Sequence, residues 1–125
     1  DRMSGAYAYK SLLEQNQYIA LGTDFPVEHI SPLYTFYSAV YRESATKPED
    51  GQFLTAQALT AEQALKGMTV WAAKACRLEH RKGQIRVGMD ADLTVLDKNL
   101  LKASKEEIRK AKVVRTVRSG KTVFE

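Results

Sequence analysis

Apolar and polar positions change their rhythm several times along the chain. Ala6, Tyr9, Leu12 and Leu13 fall on one stripe between Ala6 and Gln15, with Asn16 as a stop, which predicts a helix. Tyr18-Ile19-Ala20-Leu21 then forms a compact apolar run, the pattern of a strand buried on both faces of a parallel sheet. Gly22-Thr23-Asp24-Phe25-Pro26 ends that run in polar and turn-forming residues. Ser31-Pro32 offers a cap with proline at the first helical position, and Leu33, Phe36, Tyr37, Val40 and Tyr41 recur at steps of three and four. They predict a helix ending near Arg42, and helix, strand and polar loop in this order are the grammar of an α/β fold.

Residues 44–54 lack periodicity and contain Pro48 and Asp50-Gly51, which predicts a surface loop. Thr60-x-x-Gln63 is a capping box opening a short helix through Lys66 that Gly67 closes, and Thr69 caps a second helix carrying Val70 and Ala73. After Lys82 the texture becomes glycine-punctuated strand, first Gly83 to Gly88, then Ala91 to Asp97. Ser104-x-x-Glu107 is a second capping box, for a helical turn or two through Ala111. Val113 to Arg118 and Lys121 to Phe124 flank Ser119-Gly120, a hairpin expected to pack against Leu93–Leu96.

Composition narrows the class. The chain has 125 residues, 44% hydrophobic and 27% charged, enough apolar mass for one globular core. Three prolines and seven glycines exclude collagen-like and low-complexity classes. No run approaches the ~18 apolar residues of a bilayer span, the start lacks the pattern of a secretory signal, and no membrane partner is expected. The single cysteine, Cys76, excludes an intrachain disulfide, and a cytoplasmic location is expected.

The net charge of +4 directs attention to nucleic acid. Residues 1–97 hold ten Lys/Arg against twelve Asp/Glu, and residues 98–125 hold nine against three, so the surplus sits wholly in the tail. It alternates there with Val113, Val114 and Val117, as on a solvated face, and no nucleic-acid partner is expected. The two short helices near Gly67 resemble a helix-turn-helix in spacing alone, since Val70–Cys76 is too apolar to offer side chains to base edges.

Asp24 is the candidate for chemistry. It follows a buried strand, where a (β/α)₈ barrel places its active groups, although an aspartate there also serves as a cap or turn former. The run Gly83-Gln84-Ile85-Arg86-Val87-Gly88-Met89-Asp90-Ala91-Asp92-Leu93-Thr94-Val95-Leu96-Asp97 resembles the stretch with which amidohydrolases re-enter their small β-sandwich after the barrel. The Asp24 motif, Leu59–Leu65, Thr69–Ala73 and the opening Gly5–Leu13 stand in that family's order, and the resemblance is to its third branch, which includes N-substituted formamide deformylases.

The resemblance implies an α/β fold in which residues 1–82 are the last strand and helices of a barrel and residues 83–125 part of the sandwich. It also implies a chain that is the end of a longer metal-dependent hydrolase of non-peptide carbon–nitrogen bonds and is inactive alone. Asp24 would then be both the catalytic carboxylate and a ligand of a divalent metal, zinc, while the family's histidine and bridging ligands have no counterparts here. Phe25, Pro26 and Val27 would shape the pocket rim. Glu28, His29 and His80 read as solvated, Cys76 and Trp71 as core, and Asp92 as stabilising the turn into its strand by accepting backbone N–H bonds. A small amide-type substrate and a homo-oligomer are expected. Two other readings stand beside this one, a regulatory or binding module derived from such an enzyme and a small basic nucleic-acid-binding domain.

Overall fold

Helices α1 (Tyr9–Asn16), α2 (Pro32–Tyr41), α3 (Ala61–Met68) and α4 (Val70–Ala75) precede the strand β1 (Leu93–Leu96). The short helix α5 (Lys105–Arg109) then leads to β2 (Val113–Arg118) and β3 (Lys121–Phe124) in a computed structural model that describes residues 2–125. The apolar stripe of α2 forms the centre of the core, where Phe36 and Tyr37 are wholly buried and pack with Leu33, Leu59, Ala64, Leu100 and Ile108. Helices α3 and α5 both lie on α2, so one helix joins the first half of the chain to the last.

Both capping boxes form as the sequence predicts. Thr60 Oγ1 accepts the Gln63 N–H at 3.1 Å while Gln63 Oε1 accepts the Thr60 N–H at 2.9 Å. Ser104 and Glu107 repeat the exchange at α5. Helix α2 starts at Pro32, with Ser31 extended before it but making no side-chain cap bond, and stops at Arg42, whose φ of 54° leaves the helical region. The first helix begins at Tyr9 rather than Ala6, because Arg2–Gly5 forms a separate 3₁₀ turn and Tyr7 takes a φ of 50°.

The strand expected at Tyr18–Leu21 does not form. The segment is extended, and its one backbone anchor is a helix: the Leu21 N–H donates to the Gly67 carbonyl at 3.0 Å. Gly67 does not close α3 either; it lies buried inside the helix. A Cβ there would stand 2.8 Å from Leu21 Cγ and 3.2 Å from the Ile19 carbonyl, so glycine lets the extended segment press onto α3. A strand needs lateral partners, and among the described residues none lies beside this one.

The hairpin and β1 form an antiparallel sheet in the order β1-β2-β3, with Leu93 opposite Val117 and Val95 opposite Arg115. Ser119 and Gly120 take φ of 48° and 78°, the left-handed pair of a tight hairpin turn. Asp92, expected to stabilise the turn into its own strand, serves the hairpin turn instead, its Oδ1 accepting the Ser119 N–H at 2.8 Å while Lys82 pairs with its Oδ2. The Lys82 contact, then the Ser119 N–H, hold the Asp92 carboxyl below its usual range. The strand predicted over Gly83–Gly88 is instead a turn, since both glycines lie near φ 90°, and Ile85 and Val87 stand 91% and 102% exposed.

Candidate active site

Asp24 opens the turn that follows the extended segment. It sits at φ 51°, its carbonyl accepts the Val27 N–H at 2.9 Å, and Thr23 Oγ1 accepts the Phe25 N–H at 3.3 Å. These bonds use the backbone and leave the carboxylate outward. The side chain is exposed and has no hydrogen-bond or ionic partner among the described residues.

The turn borders an open concavity of about 760 Å³ whose other walls come from Tyr7 and Tyr9, from α2 and from the loop after it. Val27 joins Asp24 in the lining; Phe25 and Pro26, expected on the rim, do not line it, and their peptide bond is cis. Glu28 and His29 are exposed as expected, yet both line the concavity. His29 Nδ1 accepts the Ser31 N–H at 3.0 Å, and its ring stands 4.8 Å from that of Tyr34. His80 is exposed, and so is Cys76, which the sequence placed in the core; α4 ends at Ala75, so Cys76 falls off its packed face.

The opposite wall was not foreseen as chemically interesting. Arg42 and Glu43 follow α2 directly, and they are the two buried charged residues among those described. Glu43 accepts from the Tyr37 hydroxyl at 2.6 Å and from Lys105 Nζ at 2.6 Å, joining α2 to α5. Lys105 first, then Tyr37, hold the Glu43 carboxyl below its usual range; burial first, then Glu43 itself, push the Tyr37 hydroxyl up. Arg42 clasps the loop at its neck. Its Nε donates to the Phe53 carbonyl at 3.1 Å, its own carbonyl accepts the Phe53 N–H at 2.7 Å, and its guanidinium lies 5.0 Å over the Tyr9 ring. The sequence signal for this pair was available, two opposite charges set against the end of an apolar helical stripe.

The donor set does not fit a complete metal centre. Among the described residues no three of His, Cys, Asp and Glu come together as metal ligands would, whereas a zinc site takes at least three protein donors. No helix among them is long and apolar enough to cross a membrane.

Comparison with known proteins places this arrangement. The chain is 31% identical over 125 residues to the protein YtcJ of Bacillus subtilis (strain 168), named as an amidohydrolase, covering all of this chain and 24% of that one. It is 30% identical over 120 residues to the N-substituted formamide deformylase of Arthrobacter pascens, covering 95% of this chain and 21% of that one. The structure of an amidohydrolase from Thermotoga maritima MSB8 superposes with a TM-score of 0.64 at 30% identity, over 95% of this chain and 26% of that one. The chain thus spans about a quarter of the length of the relatives it matches, and it shares the fold of the Thermotoga amidohydrolase over that part. A family model covers residues 1–124, and on that match this chain belongs to the amidohydrolase family.

Proposed function

We propose that this chain serves as the C-terminal portion of a metal-dependent amidohydrolase, residues 1–82 completing its barrel and 83–125 contributing to its β-sandwich. The proposed substrate is a small molecule with an amide, formamide or cyclic amide bond, cleaved in the cytoplasm. The observation that carries the reading is the free carboxylate of Asp24, held outward by a turn whose own bonds are all made through other atoms.

A carboxylate so placed can take the proton of an attacking water and hand it to the leaving nitrogen, the general-base and general-acid work that amide hydrolysis requires. The divalent metal, zinc, belongs to the complete catalytic unit. The donors among the described residues do not suffice to hold it, and we derive no step through it. Asp24→Asn in the complete enzyme keeps the shape of the turn and removes the base, so turnover is expected to fall by about 10²–10⁴-fold with the melting temperature unchanged. Turnover retained within about tenfold of the parent would mean that another group moves the proton.

A further inference from the structure

Of the two buried charges, Glu43 is satisfied and Arg42 is not. Both Glu43 oxygens are engaged, one by Tyr37 and one by Lys105, so the acid next to Arg42 in sequence is not its counter-ion. Arg42 is only 7% exposed, and a buried cation without a paired anion is disfavoured. Its Nε is used on Phe53, but the two terminal Nη groups, with four N–H donors between them, have no acceptor among the described residues. Among the described residues no enclosed side-chain nitrogen lacks a partner, so these groups are reachable, and Arg42 is part of the lining of the Asp24 concavity.

We propose that Arg42 is a substrate-binding residue, and that the substrate carries a carboxylate which the two Nη groups receive. The proposal rests on the reading of this concavity as the active site and names the class of amide that it takes. The guanidinium is preorganised for the task, since Phe53 fixes it in its plane and Tyr9 from one face, while the Arg42 N–H donates to the Ser38 carbonyl at 2.9 Å and holds the backbone. Two parallel N–H groups match the two oxygens of a carboxylate. Asp24, Glu28 and Asp50 line the same concavity but stand in water, where their charges are screened, whereas Arg42 acts from a less polar setting. Glu43 lines it too, engaged by Tyr37 and Lys105, and four acids in a concavity with one arginine favour a monoanion over a phosphate dianion.

Binding can be read without turnover, so this proposal and the catalytic one fail separately. The probes are hippurate, which joins an amide to a carboxylate, its neutral counterpart hippuramide, and inorganic phosphate. Each is titrated into the ¹⁵N-labelled chain while the Arg42 Nε–H signal and the Phe53 and Tyr9 amides are followed. Hippurate is expected to shift these signals saturably and to bind at least about tenfold tighter than hippuramide or phosphate, the ratio expected for a charge-assisted pair. Arg42→Gln should abolish the preference, and Arg42→Lys, which keeps charge but not the fork, should reduce it. Equal binding of hippurate and hippuramide, phosphate binding as tight as hippurate, an undiminished preference in Arg42→Lys, or shifts confined to other residues would each overturn the proposal. If Arg42→Gln does not fold, the three-probe comparison on the parent chain decides alone.

Discussion

The helical layer and the three-stranded sheet are held together by different means. In the helical layer, Phe36, Tyr37, Ala64 and Ile108 are at most 2% exposed, and burial supplies the stability. In the sheet, Val95, Val114, Val123 and Phe124 remain 43% to 61% exposed, and Leu96 of β1 is its residue packed against the core. Its order comes from the ladder, the tight turn and the Asp92 clamp between Lys82 and Ser119. A hydrogen-bonded ladder sets geometry well but adds modest net stability, so the sheet should tolerate what the helices do not.

The sharpest way to break the comparison is Phe36→Ala, which empties one of the two wholly enclosed positions of α2. It is expected to cost about 3–5 kcal/mol in chemical denaturation, against well under 1 kcal/mol for Val123→Ala on the sheet edge. Similar losses would mean that the sheet is as tightly packed as the helices. Next comes Gly67→Ala, where the new Cβ meets Leu21 and the Ile19 carbonyl. Overpacking there should cost about 1–3 kcal/mol, and amide exchange should quicken at Leu21, whose N–H depends on that contact.

Val117→Asp probes the sheet itself. The half-buried site opposite Leu93 makes a cost of about 1–2 kcal/mol the expectation, less than a core charge would bring, while Lys121→Asp at the exposed turn should be near neutral. Indistinguishable melts for these two variants would show that neither face of the sheet matters to folding. The last probe is Glu43, the acid that ties α2 to α5, where the effect is read as a change with pH. Its folded carboxyl is held below the ordinary 4.5, so its contribution is full above that pH and is lost as the pH falls through the folded value. The gap in melting temperature between the parent and Glu43→Gln should therefore narrow from pH 6 to pH 3. A constant gap would indicate that the pair with Lys105 and Tyr37 carries no linkage.

Local chemistry was legible in the sequence, and lateral contacts were not. Thr60 with Gln63 and Ser104 with Glu107 complete their bonds within three residues, and Ser119-Gly120 turns the chain so that Arg118 pairs with Lys121, so composition and spacing alone reveal them. Tyr18–Leu21 has strand composition, but a strand exists only beside another, and here the neighbour is α3. Gly83 and Gly88 read as punctuation within a strand, whereas their positive φ bends the chain at both ends of the interval and no strand forms between them. Gly67 stood at a plausible helix stop, and its packing against Leu21 lies 46 positions away in sequence, beyond any local pattern. At the site, the turn character of Asp24 was legible; the pairing of Arg42 with Phe53 was not, because the two meet only through the intervening loop.

That clasp has an engineering consequence. The loop from Glu43 to Gln52 is closed at its neck by backbone bonds and by the isolated bridge between those two residues, so its ends are fixed whatever its tip contains. Lengthening a loop whose ends are already pinned costs only logarithmically, about 0.6 kcal/mol for each doubling. The tip could thus be lengthened or exchanged without shifting α2, and the mouth of the concavity remodelled while Asp24 and Arg42 keep their places. In a protein built this way, diversification and scaffold are separable by design, and the segment between Ser44 and Gly51 is the natural cassette for grafting.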